Sequence, residues 1–439
     1  MLHLDRLRGA LDGEVITPES PGYDAARRPA FARYREVRPL AVVQCASVRD
    51  VARTIAYARD TGSHVVPRSG GHCFAGRSST DGLVLDLGRL DAVTVGADLR
   101  ATVGAGARLG KIYDELHAHG RSIPAGCGPT VGIAGLTLGG GLGLLGRRYG
   151  LTSDVLVGAQ VVLADGRIVD CDDSQEPELF WALRGVGGGQ LGVVTSFVFE
   201  TVAEPRATRF ELSWPGDAVD AVISAWQQWA PDAPDDITAD LAVVAEPGRP
   251  VMASVFGAAL RDGVETSALL DELVVAVGGA RPDLRTREGM SWRDLKRSFA
   301  EDPLDGGAHT TSRSEFFSRS LSSEVITALL DELGREGRGR RELAFTAMGG
   351  AYNRTSPDAT AFVHRGERFL LQHNGDDAGW VDRSWEVAHR YGSGRVYPNF
   401  PDLQLENPAD CYHGDNLARL VTAKHRYDPD RFFRFPQAI

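Results

Sequence analysis

Residues 132–146 read GIAGLTLGGGLGLLG, with glycine at positions 132, 135, 139, 140, 141, 143 and 146. A glycine inside regular structure costs roughly 1 kcal/mol relative to alanine, because more backbone freedom is lost on folding. Seven in fifteen residues is too many for helix packing alone. The density suits a backbone pressed against a flat or anionic ligand, and the neighbouring segments are read with that in mind.

Upstream, residues 67–76 are PRSGGHCFAG. Arg68, Ser69, Gly70 and Gly71 can form a nest of N–H groups around a diphosphate. His72, at the end of that turn, then lies within reach of whatever the diphosphate carries. Between the two segments, residues 101–116 (ATVGAGARLGKIYDEL) run from a strand through Gly104, Gly106 and Gly110 into a helix. This has the outline of a dinucleotide fingerprint, whose glycines seat a pyrophosphate on a helix N-terminus. No acidic residue ends a second strand about 20 residues on, as ribose recognition requires. A nicotinamide-dependent dehydrogenase remains a second reading.

Composition bounds the alternatives. The 439 residues are 43% apolar and 24% charged, as in a globular protein with room for two domains. The net charge of −11 and the lack of a local basic patch argue against a nucleic-acid partner. Apolar runs such as AVVQCASV are strand-sized, so no membrane partner is expected. The N-terminal MLHLDRLRG stretch has no signal-peptide core, and a cytoplasmic protein is expected. Cysteines 45, 73, 127, 171 and 411 are scattered without CxxC spacing, which predicts neither a metal site nor a disulfide scaffold. Lys111, Lys296 and Lys424 are the only lysines, an arginine bias that points to a GC-rich genome and a place in secondary metabolism.

Along the chain, strand-like runs at 40–47, 64–70, 82–88 and 92–97 surround one helical pattern, for which Ser47 is the N-cap and Gly62 the stop. The ADG at 164–166, between alternating apolar residues, predicts a hairpin. Beyond residue 204 the character changes. Segments 216–232 and 264–278 are helical by period, and 236–246, 250–260, 342–353, 359–365 and 368–374 read as antiparallel strands. The expected architecture is α+β, with residues 1–203 and 395–439 forming one two-part domain around an inserted domain, 204–394, of antiparallel sheet covered by helices.

Four segments together resemble the FAD-linked oxidases related to berberine bridge enzyme, of the vanillyl-alcohol-oxidase fold group. They are RSGGHCFAG, PTVGIAGLTLGGGLGLLGRRYGLTSD, PELFWALRGVGGGQLGVVTSF and YHGDNLARLVTAKHRYDPDRFFRFPQAI. The resemblance spans nearly the whole chain and implies an FAD domain enclosing a substrate domain. It implies that His72 is the covalent tether to the flavin, with Arg68, Ser69, Gly70 and Gly71 at the pyrophosphate. It extends the cofactor-binding set to Gly76, Gly128, Val131, Gly132, Gly139, Gly140, Gly141, Gly143, Val194, Tyr397, Asn399 and Asn416. Val131 stands where a small residue admits O2, so O2 is the implied acceptor and H2O2 the product.

The sequence departs from the family pattern in four places. Gly128 occupies the slot of the cysteine that forms a second flavin bond in many members, and Cys127 lies one residue early; a single covalent bond is therefore expected. Leu136 replaces a ribityl-facing histidine, and Val155 an asparagine. In YPNFPD, Phe400 replaces the tyrosine that deprotonates substrate in relatives, and a phenyl ring takes no proton. On the strand RFLLQHN, Phe369, Leu371 and His373 share one face, which the resemblance places on the substrate pocket. His373 is the candidate base, since imidazole titrates near neutral pH, with Tyr397 second. The reading is an FAD-dependent oxidase of a small organic substrate: an amine, a phenolic or a polyketide-like natural product, with oxidative cyclisation included. A redox-neutral flavoprotein is the other alternative. A hydrolase is unsupported, since no GxSxG occurs.

Overall fold

The structure is a computed structural model that describes residues 4–279, 281–300, 311–335, 337 and 339–439. Its first sheet follows from short strands, each built on an apolar run of two or three residues. β1 (Glu14–Ile16), β2 (Ala41–Gln44), β3 (Val65–Arg68) and β4 (Leu83–Asp86) lie in the order β1-β2-β4-β3. β4 pairs in parallel with both β2 and β3: the helix Val48–Thr61 carries the chain from β2 back to β3, and the loop 69–82 carries it from β3 back to β4. Ser47 caps the helix by accepting the amide of Asp50, and Gly62 ends it in the left-handed region.

The chain then forms β5 (Val93–Val95), β6 (Arg100–Gly104), β7 (Arg121–Ser122), β8 (Leu156–Val162), β9 (Ile168–Cys171), β10 (Val193–Glu200) and β11 (Val202–Ala203). Five of these build an antiparallel sheet, β5-β6-β10-β8-β9, with the 164–166 turn joining β8 to β9; β7 and β11 pair with each other.

A seven-stranded antiparallel sheet follows, made of β12 (Arg206–Pro215), β13 (Ile237–Ala245), β14 (Met252–Ala259), β15 (Asp283–Ser291), β16 (Thr311–Phe317), β17 (Arg341–Ala347) and β18 (Phe369–Gly375). Its order is β15-β12-β14-β13-β17-β18-β16. The strict alternation of β13 sends Ile237, Ala239, Leu241, Val243 and Ala245 into a core shared with the helices Val219–Trp229, Gly263–Val277, Ser323–Gly334 and Ala378–His389. The opposite face turns toward the glycine-rich segment, and Thr238 donates its hydroxyl to the Leu144 carbonyl at 2.9 Å.

Two sequence expectations change here. Residues 351–354 form a helical turn, not the end of a strand. The run 359–365 is irregular, because the amides of Ala361 and Phe362 bond the carbonyls of Trp181 and Arg184 in place of a strand partner. The polar strand β15 lies exposed at the sheet edge, where alternation is not required.

The two parts are stapled together. Arg147 is fully buried and donates to the carbonyls of Ile237 (3.1 Å), Pro231 (2.9 Å), Ala233 and Met348. Tyr352 brackets Gly143, accepting its N–H at 3.0 Å and donating to its carbonyl at 2.7 Å. After residue 395 the chain returns to the first part, where Lys424 bonds Asp428 (2.8 Å) and the Phe433 and Gln190 carbonyls. No described helix is long and apolar enough to cross a membrane.

Candidate active site

The loop after β3 is tied down by its own polar side chains. Arg68 is buried; its Nε donates to the Ser78 carbonyl (3.0 Å) and one Nη to the Ala26 carbonyl (2.8 Å), while Nη2 has no protein partner. Ser69 donates its hydroxyl to the Ala105 carbonyl at 2.6 Å. These side chains brace the loop and leave its backbone free to bind. Among the described residues, the amides of Gly70, Gly71 and His72 find no protein acceptor, and Gly71 has a φ of +74°. Consecutive unpartnered amides bent by a left-handed residue make an anion nest.

The second loop sits directly against the first. A Cβ on Gly70 would lie 2.3 Å from the Gly132 nitrogen. Val131 is half-buried, its carbonyl accepting the Leu109 amide and its own amide reaching Gly128 at 3.2 Å. Further along, the glycines serve the protein, not a ligand. A Cβ on Gly139 would meet the Asn399 side chain at 2.2 Å, on Gly141 the Thr152 hydroxyl at 2.3 Å and on Gly143 the Ala125 carbonyl at 2.1 Å; Gly140 is closed off by Phe362 at 2.8 Å. The glycines left open are Gly135, Gly187 and Gly188, whose missing side chains face no protein atom closer than 4.0 Å. Gly135 lies one turn past Gly132, Gly187 donates its amide to the Leu138 carbonyl at 2.7 Å, and a Cβ on Gly188 would stand 4.0 Å from Gly135, so open backbone lies along the helix that leaves the anion nest. Sequence reading passed over Gly187 and Gly188, although GVGGGQ carried the signal. Open amides ending at a histidine, with open glycines on the adjoining helix, fit a nucleotide diphosphate joined to a flat ring.

His72 stands at the start of an aromatic wall. Its ring lies 6.3 Å from Phe31, Phe31 4.8 Å from Phe74, Phe74 5.1 Å from Phe400, and Phe400 5.0 Å from Tyr397. Nε2 of His72 is 3.0 Å from the Thr130 hydroxyl, and Nδ1 has no protein partner. Burial, and then the charge of Arg108, push the imidazole down to about 4, so it is neutral at physiological pH. At the other end, the Tyr397 oxygen accepts the amides of Gly141 and Leu142 at 3.0 Å and the Asn399 side-chain amide at 2.9 Å. Burial raises the Tyr397 phenol, and its three donors make it a brace for the glycine turn.

Several expected site residues lie elsewhere. His373 is buried on the helix-covered face of β18, with Nδ1 2.8 Å from the Ser384 hydroxyl, and burial pushes it down to about 3. The face with Phe369 and Leu371 is the core side; Leu370 and Gln372 occupy the other. His373 is therefore not positioned as a pocket base. Val194 packs its side chain into the core. Asn416 gives its amide to the carbonyls of Pro357 (2.7 Å) and Thr360 (3.1 Å), pinning a loop. Gly76 makes room for the Tyr34 ring, 2.6 Å from where a Cβ would stand.

Two ionisable side chains, Lys296 and Asp240, went unmarked in the sequence. Lys296 of the helix Trp292–Ser298 reaches across from the inserted part and donates to the carbonyls of Ala125 (2.7 Å) and Gly126 (3.1 Å), with Cys127 Sγ at 3.5 Å. Burial lowers its ammonium. Asp240 stands on the face of β13 that also carries Thr238. Among the described residues no cluster of His, Cys, Asp and Glu could hold a metal ion.

Comparison with known proteins points to the same cofactor. A family profile described as FAD binding domain matches residues 39–172, and one described as berberine and berberine like matches residues 396–439. The FAD-linked oxidoreductase YvdP of Bacillus subtilis is 32% identical over 98% of both chains. The structure of Physcomitrella patens BBE-like 1 superposes with a TM-score of 0.90 at 26% identity, covering 99% of this chain and 98% of that one. Glucooligosaccharide oxidase from Acremonium strictum, with a 6-S-cysteinyl, 8α-N1-histidyl FAD, superposes with a TM-score of 0.87 at 26% identity, covering 99% and 98%.

Proposed function

The chain belongs to the berberine bridge enzyme-like family of FAD-linked oxidoreductases, and on that premise we propose that it is an oxidase of an aromatic or apolar small molecule, with FAD bonded covalently to His72 alone. The observation that carries the substrate class is the wall formed by Phe74, Phe400 and Tyr397, which starts beside His72 and ends under the sheet. An apolar surface of rings packed edge to face rewards a flat, weakly hydrated substrate and gives a sugar few hydrogen bonds. Amines, phenols and polyketide-like natural products fit this wall, and ring closure coupled to oxidation falls within the same class.

When bound, FAD supplies the two-electron acceptor for hydrogen removed from a substrate carbon, and O2 takes the electrons onward to H2O2. The chain's own residues do the rest. The amides of Gly70, Gly71 and His72 bind the diphosphate, and the open backbone at Gly135, Gly187 and Gly188 takes the neighbouring groups. His72 presents Nδ1 as a neutral imidazole nitrogen, the form able to make a carbon–nitrogen bond. Cys127 is turned toward Lys296, which supports the single link. Val131, short and half-buried beside Gly128, leaves room for O2.

The test is anaerobic mixing of the purified protein with panels of amines, phenols, polyketide-type aromatics and oligosaccharides. The yellow absorption should bleach with a member of the first three panels and return on admitting air. Bleaching by oligosaccharides alone would refute the substrate class. Pigment released wholly by acid precipitation would refute the covalent link.

A further inference from the structure

We infer that Asp240, at the centre of the inserted sheet, is the acid–base group of the substrate pocket, an assignment that rests on the flavin-oxidase reading. β13 is the middle strand of seven, and its alternation places Asp240 on the face turned toward the glycine-rich segment. Across that face, Asp240 pairs with Phe256 of β14, and Phe256 with Glu211 of β12. On the other side, Thr346 and Leu370 are paired, then Leu370 and Phe316. Leu370 and Phe316 share a core cluster with Tyr397, against which Phe400 packs. One row of side chains thus joins Asp240 to the aromatic wall.

The carboxylate is built for exchange of a proton. Oδ1 accepts the Ala347 amide at 3.1 Å, which fixes the side chain, and Oδ2 has no protein partner. Asp240 is half-buried, so part of the carboxyl stays accessible although burial dominates its surroundings. The charged and titratable groups facing it from the packed elements are Arg147, Lys296 and Tyr352. Burial outweighs both cations and pushes the carboxyl up to about 7, the value a general base needs at neutral pH.

Three other ionisable groups stand on the same face of the inner strands: Arg209 donates to the Ser298 carbonyl, Glu342 is paired with Arg340, and Glu211 lies opposite Arg285 of the edge strand β15. Gln372 bonds Ser312 at 3.3 Å and takes up no proton. The step assigned is one proton transfer: the N–H or O–H bond of the substrate breaks, an O–H bond forms at Oδ2, and the lone pair left behind forms the C=N or C=O bond as the carbon loses its hydrogen and two electrons to the flavin. The proton then leaves to solvent.

The experiment compares wild-type holoenzyme with Asp240→Asn, which keeps the Oδ1 contact to Ala347. Infrared difference spectra across pH should show a protonated carboxyl band that titrates near pH 7 in the wild type and is missing in the variant. With a substrate found in the panel, anaerobic flavin reduction should slow by about 10²-fold or more, with FAD content and melting temperature close to wild type. A band that persists in Asp240→Asn, or a reduction rate within about threefold of wild type, would overturn the assignment. Should Asp240→Asn fail to fold, Asp240→Glu takes its place and must keep a titrating band at a shifted midpoint; an unmoved band overturns the assignment. A wild-type protein without flavin would refute the flavin reading, while the infrared band would still report on Asp240.

Discussion

Gly70 and Gly132 stand back to back: a Cβ on the first would lie 2.3 Å from the nitrogen of the second, and a Cβ on the second 2.2 Å from the nitrogen of the first. The loop carrying His72 and the loop leading into the helix Ile133–Leu138 thus meet through bare backbone. Alanine at either position must push the loops apart, at a cost of about 1–3 kcal/mol or more for overpacking. Gly70→Ala and Gly132→Ala should each lower the melting temperature and the fraction of chains holding flavin. Full flavin content in both would show that the contact does not organise the site.

Lys296 places a second constraint on the same region. Its ammonium donates to the carbonyls of Ala125 and Gly126, just before Gly128. Lys296→Met should destabilise the fold by about 1–3 kcal/mol, because the buried Ala125 carbonyl loses its donor, while that of Gly126 keeps the Tyr113 hydroxyl at 2.7 Å. Chemical denaturation measures this directly. Cys127→Ala should leave the flavin-bearing peptide unchanged in mass, and that peptide should contain His72 and not position 127. A peptide mass joining both positions to one flavin would contradict the single link.

His373→Ala separates packing from chemistry. The imidazole is buried against Ser384 and faces away from the pocket. Its removal should cost about 2–4 kcal/mol of stability through the cavity and the orphaned hydroxyl. Flavin reduction should stay within about threefold of wild type, since a true base would contribute 10² or more. A large kinetic loss at unchanged stability would restore His373 to the mechanism.

Acid should destabilise the protein, and the sign follows from which state binds protons. Burial pushes His364 and His373 down to about 3 and His413 to about 4. Between those values and the unfolded value of 6.5, the unfolded state holds protons that the folded state refuses. Their contribution is intact above pH 6.5 and is lost on acidification, at about 1.4 kcal/mol per pH unit for each histidine. Asp240 opposes this: its folded carboxyl binds a proton below about 7 while the unfolded one stays ionised down to 3.8. His72, pushed down to about 4, adds to the three, while Asp86, Glu315 and Glu367 are raised by burial in the same sense as Asp240 but by less. Just below pH 6.5 the four imidazoles therefore outweigh the carboxyls, so melting temperature should fall toward pH 5, and Asp240→Asn should steepen the fall. A flat profile would show that the imidazoles gain protons without unfolding.

The sequence by itself determined the chain's family, its α+β class and the loops at 68–72 and 128–132. These are local: a nest needs consecutive residues, a cap needs Ser47 beside Asp50, and glycine announces itself wherever backbones touch. The same local evidence did not separate glycines that face a ligand from those that face Asn399, Thr152 or Ala125, because their partners lie far away in the chain. Nor did strand alternation say which face of β18 is the pocket. Period two sorts residues into two sets, and only the packing of helices on one face decides which set is core. That packing sent His373 into the interior. It left Asp240, an unremarkable residue in DITADLAVVAE, on the face over the cofactor domain. Tertiary structure decided the chemistry here because a carboxyl's proton affinity depends on the water and charges around it, and those come from Arg147, Lys296 and Tyr352 on three distant segments.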